Sequence, residues 1–241
     1  MKRTPVPVQM HRPQKGLPLM KDIFEAVDLF ISRQFSRDDA VLKSVGASLR
    51  KAGISDISVS STQGKLLHLL VLLSRARRIL EIGTLGGYST IWMARALPRN
   101  GRILSIESDP DHALIARRNI ERAGLSERVQ VRVGAALEVL PTLAGKGKPL
   151  FDMVFVDADK AALPDYLRWS LKLTHPGSLI VTDNVIRRGK VLRSGRGDPA
   201  VNGARRFLKS LASSADVTAT VLQTVGPKGH DGIAIALVNG R

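Results

Sequence analysis

The chain has 241 residues, enough for one α/β domain with a full core, and it carries 37 Lys and Arg against 21 Asp and Glu, a formal charge of +16. It contains no cysteine, which excludes disulfide scaffolds, thiolate zinc sites and cysteine nucleophiles, and its five histidines show no metal-ligand spacing. No apolar run approaches the roughly 20 residues needed to cross a bilayer, and no apolar signal core follows the proline-broken basic N-terminus, so a cytoplasmic protein without membrane attachment is expected.

Residues 1–19 read as a basic flexible arm, proline-rich and without hydrophobic period. Two amphipathic helices follow, one presenting Ile23, Phe24, Val27, Leu29 and Phe30, the other Val41, Leu42, Val45 and Leu49 up to Gly53. Ser60, Ser61 and Thr62 offer caps for a third helix, whose Leu66, Leu67, Leu69, Leu70, Leu72 and Leu73 give an apolar surface broad enough to pack on more than one side. From residue 77 onward, short apolar strands at 79–82, 103–106, 129–133, 153–156 and 179–181 alternate with helical patterns at 88–97, 111–123, 136–143 and 163–173. A polar loop and a helix near 200–211 precede two strand-like runs, 217–225 and 233–238, which read as a closing antiparallel pair. This pattern predicts one domain over 20–241, with N-terminal helices at 20–76 and a core at 77–241. The core is a Rossmann-like, doubly wound, mostly parallel seven-stranded sheet whose last strand is antiparallel.

The chemistry gathers at the strand ends. The first strand runs into Gly83-Thr84-Leu85-Gly86-Gly87, where glycines allow a tight turn and close backbone approach to a ligand at a helix N-terminus. The spacing is neither the dinucleotide fingerprint nor a phosphate loop. Glu107 ends the second strand, where a carboxylate either accepts ribose hydroxyls or caps the helix beginning near Asp109. Asp157-Ala158-Asp159-Lys160 and Asp183-Asn184 each follow a buried strand, so both patches should face one crevice and converge oxygen ligands on a hard divalent cation. Much of the net charge lies in the first 21 residues and in 187–209, and a field of that sign attracts polyanions, although a solvated arginine-rich surface explains it equally simply.

Together, the run 78–94 (RILEIGTLGGYSTIWMA), the Asp157 patch, Asp183-Asn184-Val185 and Gly229-His230-Asp231-Gly232 resemble the class I S-adenosylmethionine-dependent O-methyltransferases, and within them the cation-dependent catechol and caffeoyl-CoA branch (bacterial O-methyltransferase family 3). The resemblance implies that Glu81, Gly83, Thr84 and Ser89 surround the methionine part of S-adenosylmethionine, with a backbone contact from Val59. It further implies that Glu107 holds the ribose and that Gly134 and Ala135 lie beside adenine. Asp157, Asp183 and Asn184 match the family's metal ligands, for Mg2+, Mn2+ or Ca2+, with Asp157 also on the cofactor side and Asp159 left as a neighbouring acid. Lys160 matches the general base. The implied acceptor is a small aromatic hydroxyl compound of catechol type, free or as a CoA ester. Hydroxyuridine in tRNA is the alternative, since the loop after the fifth strand, which with the N-terminal helices sets acceptor choice in the resembling family, is strongly basic here. A nicotinamide-dependent oxidoreductase and a non-catalytic RNA- or membrane-binding module are disfavoured by the glycine spacing and by the intact acidic patches. Trp92 and Trp169 sit in helical patterns and read as core, and a homodimer is expected as in many relatives.

Overall fold

The computed structural model describes residues 20–145, 147–148, 150–193, 197–226 and 229–240. The basic arm expected at 1–19 lies outside the described residues.

Three helices open the described chain: α1 (Met20–Phe35), α2 (Ala40–Lys51) and α3 (Ser61–Ser74). α3 starts with a reciprocal cap in which Ser60 Oγ accepts from the Gln63 amide and Gln63 Oε1 accepts from the Ser60 amide. The alternating core then runs β1 (Arg78–Ile82), α4 (Tyr88–Ala96), β2 (Arg102–Glu107), α5 (Pro110–Arg122), β3 (Val129–Val133), α6 (Ala136–Leu143), β4 (Phe151–Val156), α7 (Leu163–Leu173), β5 (Thr174–Asp183), α8 (Pro199–Ser213), β6 (Val217–Thr224) and β7 (Asp231–Val238). The single sheet has the order β3-β2-β1-β4-β5-β7-β6, with β1 to β5 parallel and β7 antiparallel to both neighbours.

Alternation within the strands sends residues to opposite faces. Ile79, Met153, Phe155 and Val181 pack with α2, α3, α4 and α5, whereas Leu80, Ile82, Val154, Val156 and Ile180 pack with α6, α7 and α8. Burial of each such side chain stabilises the fold by about 1.5–3 kcal/mol. The pairing Ile106↔Ile82↔Val156↔Thr182 brings the C-terminal ends of β2, β1, β4 and β5 level. The strand order reverses between β1 and β4, so a crevice opens beyond their ends.

The structure departs from the sequence expectation at three places. β5 begins five residues earlier than the predicted strand, running through His175-Pro176-Gly177, whereas the closing antiparallel pair forms as expected, with β7 between β5 and β6. The apolar face of α1 stays exposed in the single chain, with Phe30 63% and Phe35 70% accessible, and α3 buries Leu67 and Val71 while leaving Leu73 78% accessible. Trp92 is buried in the core, and Trp169 is half-buried against its second half.

Candidate active site

Gly83 makes the floor of the crevice. It adopts φ 96°, and a Cβ there would stand 2.2 Å from the Asp157 carbonyl oxygen, so only glycine lets the β1 turn lie against the end of β4. Glu107 secures this turn: its Oε2 accepts from the Thr84 and Leu85 amides at 3.0 and 2.8 Å, and its Oε1 accepts from the Asp109 amide at 3.0 Å. Glu107 thus orders the turn and lines the cavity above it, while the cap of α5 is Asp109, whose Oδ1 accepts from the Asp111 and His112 amides. That cavity, of about 530 Å³, is walled by Val59, Gly83, Thr84, Ser89, Glu107, Gly134, Asp157, Asp159 and Lys160.

Glu81 differs from expectation. Its side chain is fully buried beneath the turn, away from the cavity, where its carboxylate accepts from Ser89 Oγ (2.6 Å), Thr90 Oγ1 (2.5 Å) and Ser105 Oγ (2.6 Å). Because Ser105 spends its proton on Glu81, Thr84 donates to Ser105 across their 2.6 Å contact, which ties the cavity wall to the buried acid. Burial raises the Glu81 pKa to about 7 against the pull of these hydroxyl donors. Ala135 likewise does not line the cavity, whereas its neighbours Gly134 and Ala136 do.

A larger cavity, of about 1020 Å³, lies on the other side of the strand ends and includes Asp28 of α1, Gln63 of α3, Asp183, Asn184, Arg187, Arg188 and Asp231. The two cavities share Ile57, Ser58, Val59, Asn184 and Arg187, so they meet beside the end of β5. At this junction Lys160, only 8% accessible, donates from Nζ to Asp157 Oδ1 at 2.7 Å. Asp183 is buried, and its pKa is pushed up to about 7, first by burial and then by the charge of Asp157, with Lys160 acting in the opposite direction. Asn184 takes a left-handed conformation, φ 58°, which asparagine tolerates better than most residues, and its amide donates to Asp183 Oδ1 at 2.8 Å.

Two crowded carboxylates with a neighbouring side-chain amide are a donor set of hard oxygens that fits a divalent cation, whose charge would relieve a repulsion now offset by Lys160 and the Asn184 backbone N–H. The set has two carboxylates rather than three, and among the described residues no group of three or more His, Cys, Asp or Glu is arranged to hold a metal.

Several site residues lay beyond sequence reasoning. Gln63, which completes the reciprocal cap of α3, also donates from Nε2 to both oxygens of Asp183, at 3.3 and 3.4 Å. Because Ser60 N–H fixes the amide oxygen, the amide nitrogen faces Asp183. Lys160 opens an unanticipated 3₁₀ turn, Lys160–Ala162, capped by Asp159 accepting from the Ala161 amide. Gly203 of α8 packs directly on that turn: a Cβ at 203 would stand 2.1 Å from the Lys160 carbonyl oxygen. Asp231 Oδ1 accepts from the Ile186, Arg187 and Gly232 amides, each at 2.9 Å, and so fixes the loop that leaves β5. In that loop Arg187 and Arg188 both adopt left-handed conformations, φ 55° and 56°, at a cost of about 1 kcal/mol or more each.

The sequence pattern of the O-methyltransferase family matches residues 32–238. The chain belongs to the O-methyltransferase family. It is 53% identical over 216 residues to a catechol O-methyltransferase of Niastella koreensis, covering 90% of this chain and 98% of that protein. Two solved O-methyltransferases share its fold. The Streptomyces achromogenes enzyme involved in tomaymycin synthesis, in complex with SAM, is 47% identical with a TM-score of 0.89, covering 92% of this chain and all of that one. The Bacillus cereus enzyme in complex with SAH is 47% identical with a TM-score of 0.88, covering 91% and 100%. The class of reaction is thereby S-adenosylmethionine-dependent O-methyl transfer, on the class I methyltransferase fold. No helix among the described residues is long and apolar enough to cross a membrane.

Proposed function

We propose that this O-methyltransferase methylates one hydroxyl of a vicinal aromatic diol with the help of a divalent cation, Mg2+ foremost, held by Asp157, Asp183 and Asn184. The observation that carries the reading is the meeting of the two cavities beside Asn184, with Lys160 and Asp157 on the wall of one and Asp183 on the wall of the other. In this reading the smaller cavity takes S-adenosylmethionine and the larger one takes the acceptor. Val59, the Gly83 turn, Thr84 and Ser89 hold the methionine part, and Glu107 holds the ribose.

S-adenosylmethionine supplies a sulfonium-activated methyl group, and a cation among these oxygens supplies Lewis-acid polarisation of the diol. The remaining work belongs to the chain. In its neutral amine form Lys160 Nζ takes the proton from the hydroxyl that reacts, becoming the ammonium, and Asp157, at 2.7 Å, keeps that nitrogen aimed at the junction. Gln63 and the Asn184 amide orient the Asp183 carboxylate. The 3₁₀ turn and the strand ends hold oxygen and methyl in line, where alignment contributes most of the rate. Residues 20–241 act as one domain in which the helices of 20–76 provide the outer wall of the acceptor cavity, through Asp28 and Gln63. The exposed apolar faces of α1 and α3 support a homodimer, which the molar mass in solution tests.

The test is methyl transfer from labelled S-adenosylmethionine with Mg2+, offering catechol, a catechol-type CoA ester and tRNA in parallel. Labelling of a diol is the expected result. Labelling of tRNA with no diol methylated would refute the small-acceptor reading.

A further inference from the structure

We propose that Arg187 is a subsite for an anionic substituent of the acceptor, so that the preferred acceptor is a vicinal aromatic diol bearing a carboxylate. This deepens the diol reading above and rests on it. Arg187 lies on the wall of both cavities, three residues after Asn184, beside the junction to which the diol is assigned above. Neither Arg187 nor Arg188 forms an ion pair among the described residues, and the Nε of Arg187, closed off from solvent, has no hydrogen-bond partner within the chain. A guanidinium on a cavity wall with no carboxylate of the chain paired to it leaves its charge to a ligand, and a planar carboxylate matches the fork geometry that arginine offers.

The carboxylates that share the larger cavity are already engaged. Asp231 accepts from three backbone amides through one oxygen, Asp183 is held by Gln63 and the Asn184 amide, Asp28 accepts from Thr62, and Asp56 faces Arg50 at 3.8 Å. None of them stands within ion-pair distance of either arginine. The loop is also built to keep Arg187 in place, since Asp231 clamps its amide while the backbone stays in a left-handed conformation that arginine rarely adopts. Backbone strain held at a cavity wall by specific bonds is characteristic of ligand clamps.

A carboxylate could come from the acceptor or from the methionine end of the cofactor, and one experiment separates them. Initial rates and calorimetric binding, with Mg2+ and with S-adenosylhomocysteine for the binding arm, are measured for 3,4-dihydroxybenzoate and for its uncharged methyl ester. The wild type, Arg187→Gln and Arg187→Lys are compared. The wild type should favour the acid. Arg187→Gln should lower kcat/KM and affinity for the acid roughly ten- to a hundredfold more than for the ester, with partial recovery in Arg187→Lys. Equal losses on acid and ester, or a loss confined to cofactor affinity, would overturn the subsite. The binding arm stands apart from turnover: selective acid binding that disappears in Arg187→Gln, with no diol methylated by the wild type, would refute the proposed function and uphold the subsite. Equal wild-type affinity for acid and ester would refute the subsite alone.

Discussion

Replacing Gly203 by alanine perturbs the site from behind, without touching either cavity. The added Cβ would stand 2.1 Å from the Lys160 carbonyl oxygen and 2.6 Å from Ala161 Cα, whereas real Cβ contacts essentially never fall under 3.0 Å. Both clashing atoms are backbone, so no side chain can swing aside, and α8 must separate from the 3₁₀ turn by about an ångström. Overpacking of that kind costs about 1–3 kcal/mol, which lowers Tm by roughly 2–10 °C for a chain of this size. Because the displaced turn begins with the base, a shift near 1 Å should also lower kcat on the order of a hundredfold, while KM for S-adenosylmethionine, whose cavity has Lys160 on one wall but the Gly83 turn as its floor, changes by less. Thermal melts and methyl-transfer kinetics on purified Gly203→Ala read the two effects separately. A variant with wild-type Tm and wild-type kcat would show that α8 does not position Lys160, and a loss of cofactor affinity equal to the loss in kcat would show that the damage is not local.

Other perturbations reach the site and its frame from different directions. Lys160→Met, which keeps the stem and removes the basic nitrogen, should lower kcat by about 10²- to 10⁴-fold with cofactor binding retained, and a variant at full rate would remove Lys160 from the chemistry. Glu81 has a raised folded pKa, so it favours the fold fully below the unfolded value of 4.5 and loses that contribution as pH rises through about 7. Glu81→Gln should flatten the fall in Tm across that window, and an unchanged slope would contradict the buried-acid assignment. His175 faces two acceptors, the Pro176 carbonyl through Nδ1 and Asp152 Oδ1 through Nε2, each at 2.9 Å, so both nitrogens donate only in the imidazolium form. Its pKa is raised by the Pro176 carbonyl first and then by Asp152. Its contribution is therefore complete below pH 6.5 and fades as pH rises through the folded pKa, and His175→Asn should remove that dependence from melts taken across this window.

The parallel core was legible because β1, β2, β3 and β4 are short apolar runs between strong helical patterns, and each begins and ends within two residues of its expected place. Helix α6 was legible from its apolar pattern despite Pro141, which sits inside it near the C-terminal end and removes the one bond its N–H would have made to the Leu137 carbonyl. What escaped were features set by contacts far along the chain. His175-Pro176-Gly177 reads as a breaker, yet Ser178 Oγ, bonded to the Phe151 carbonyl and accepting from the His175 amide, carries β5 across it. Glu81 carries the family spacing, but only the fold could show three hydroxyls from α4 and β2 closing over its carboxylate. The partnership of Gln63 with Asp183 spans 120 positions, and no local pattern announces it. The exposed leucines and phenylalanines of α1 and α3 look, in sequence, identical to core-facing ones.

The central claim is that Asp157, Asp183 and Asn184 hold a cation on which methyl transfer depends. Its most direct measurement is methyl transfer to a catechol by enzyme stripped with EDTA, then titrated with Mg2+. Activity that vanishes on chelation and returns with the metal in the wild type, and does not return in Asp183→Ala, is the predicted result. Undiminished transfer by the stripped enzyme would contradict it.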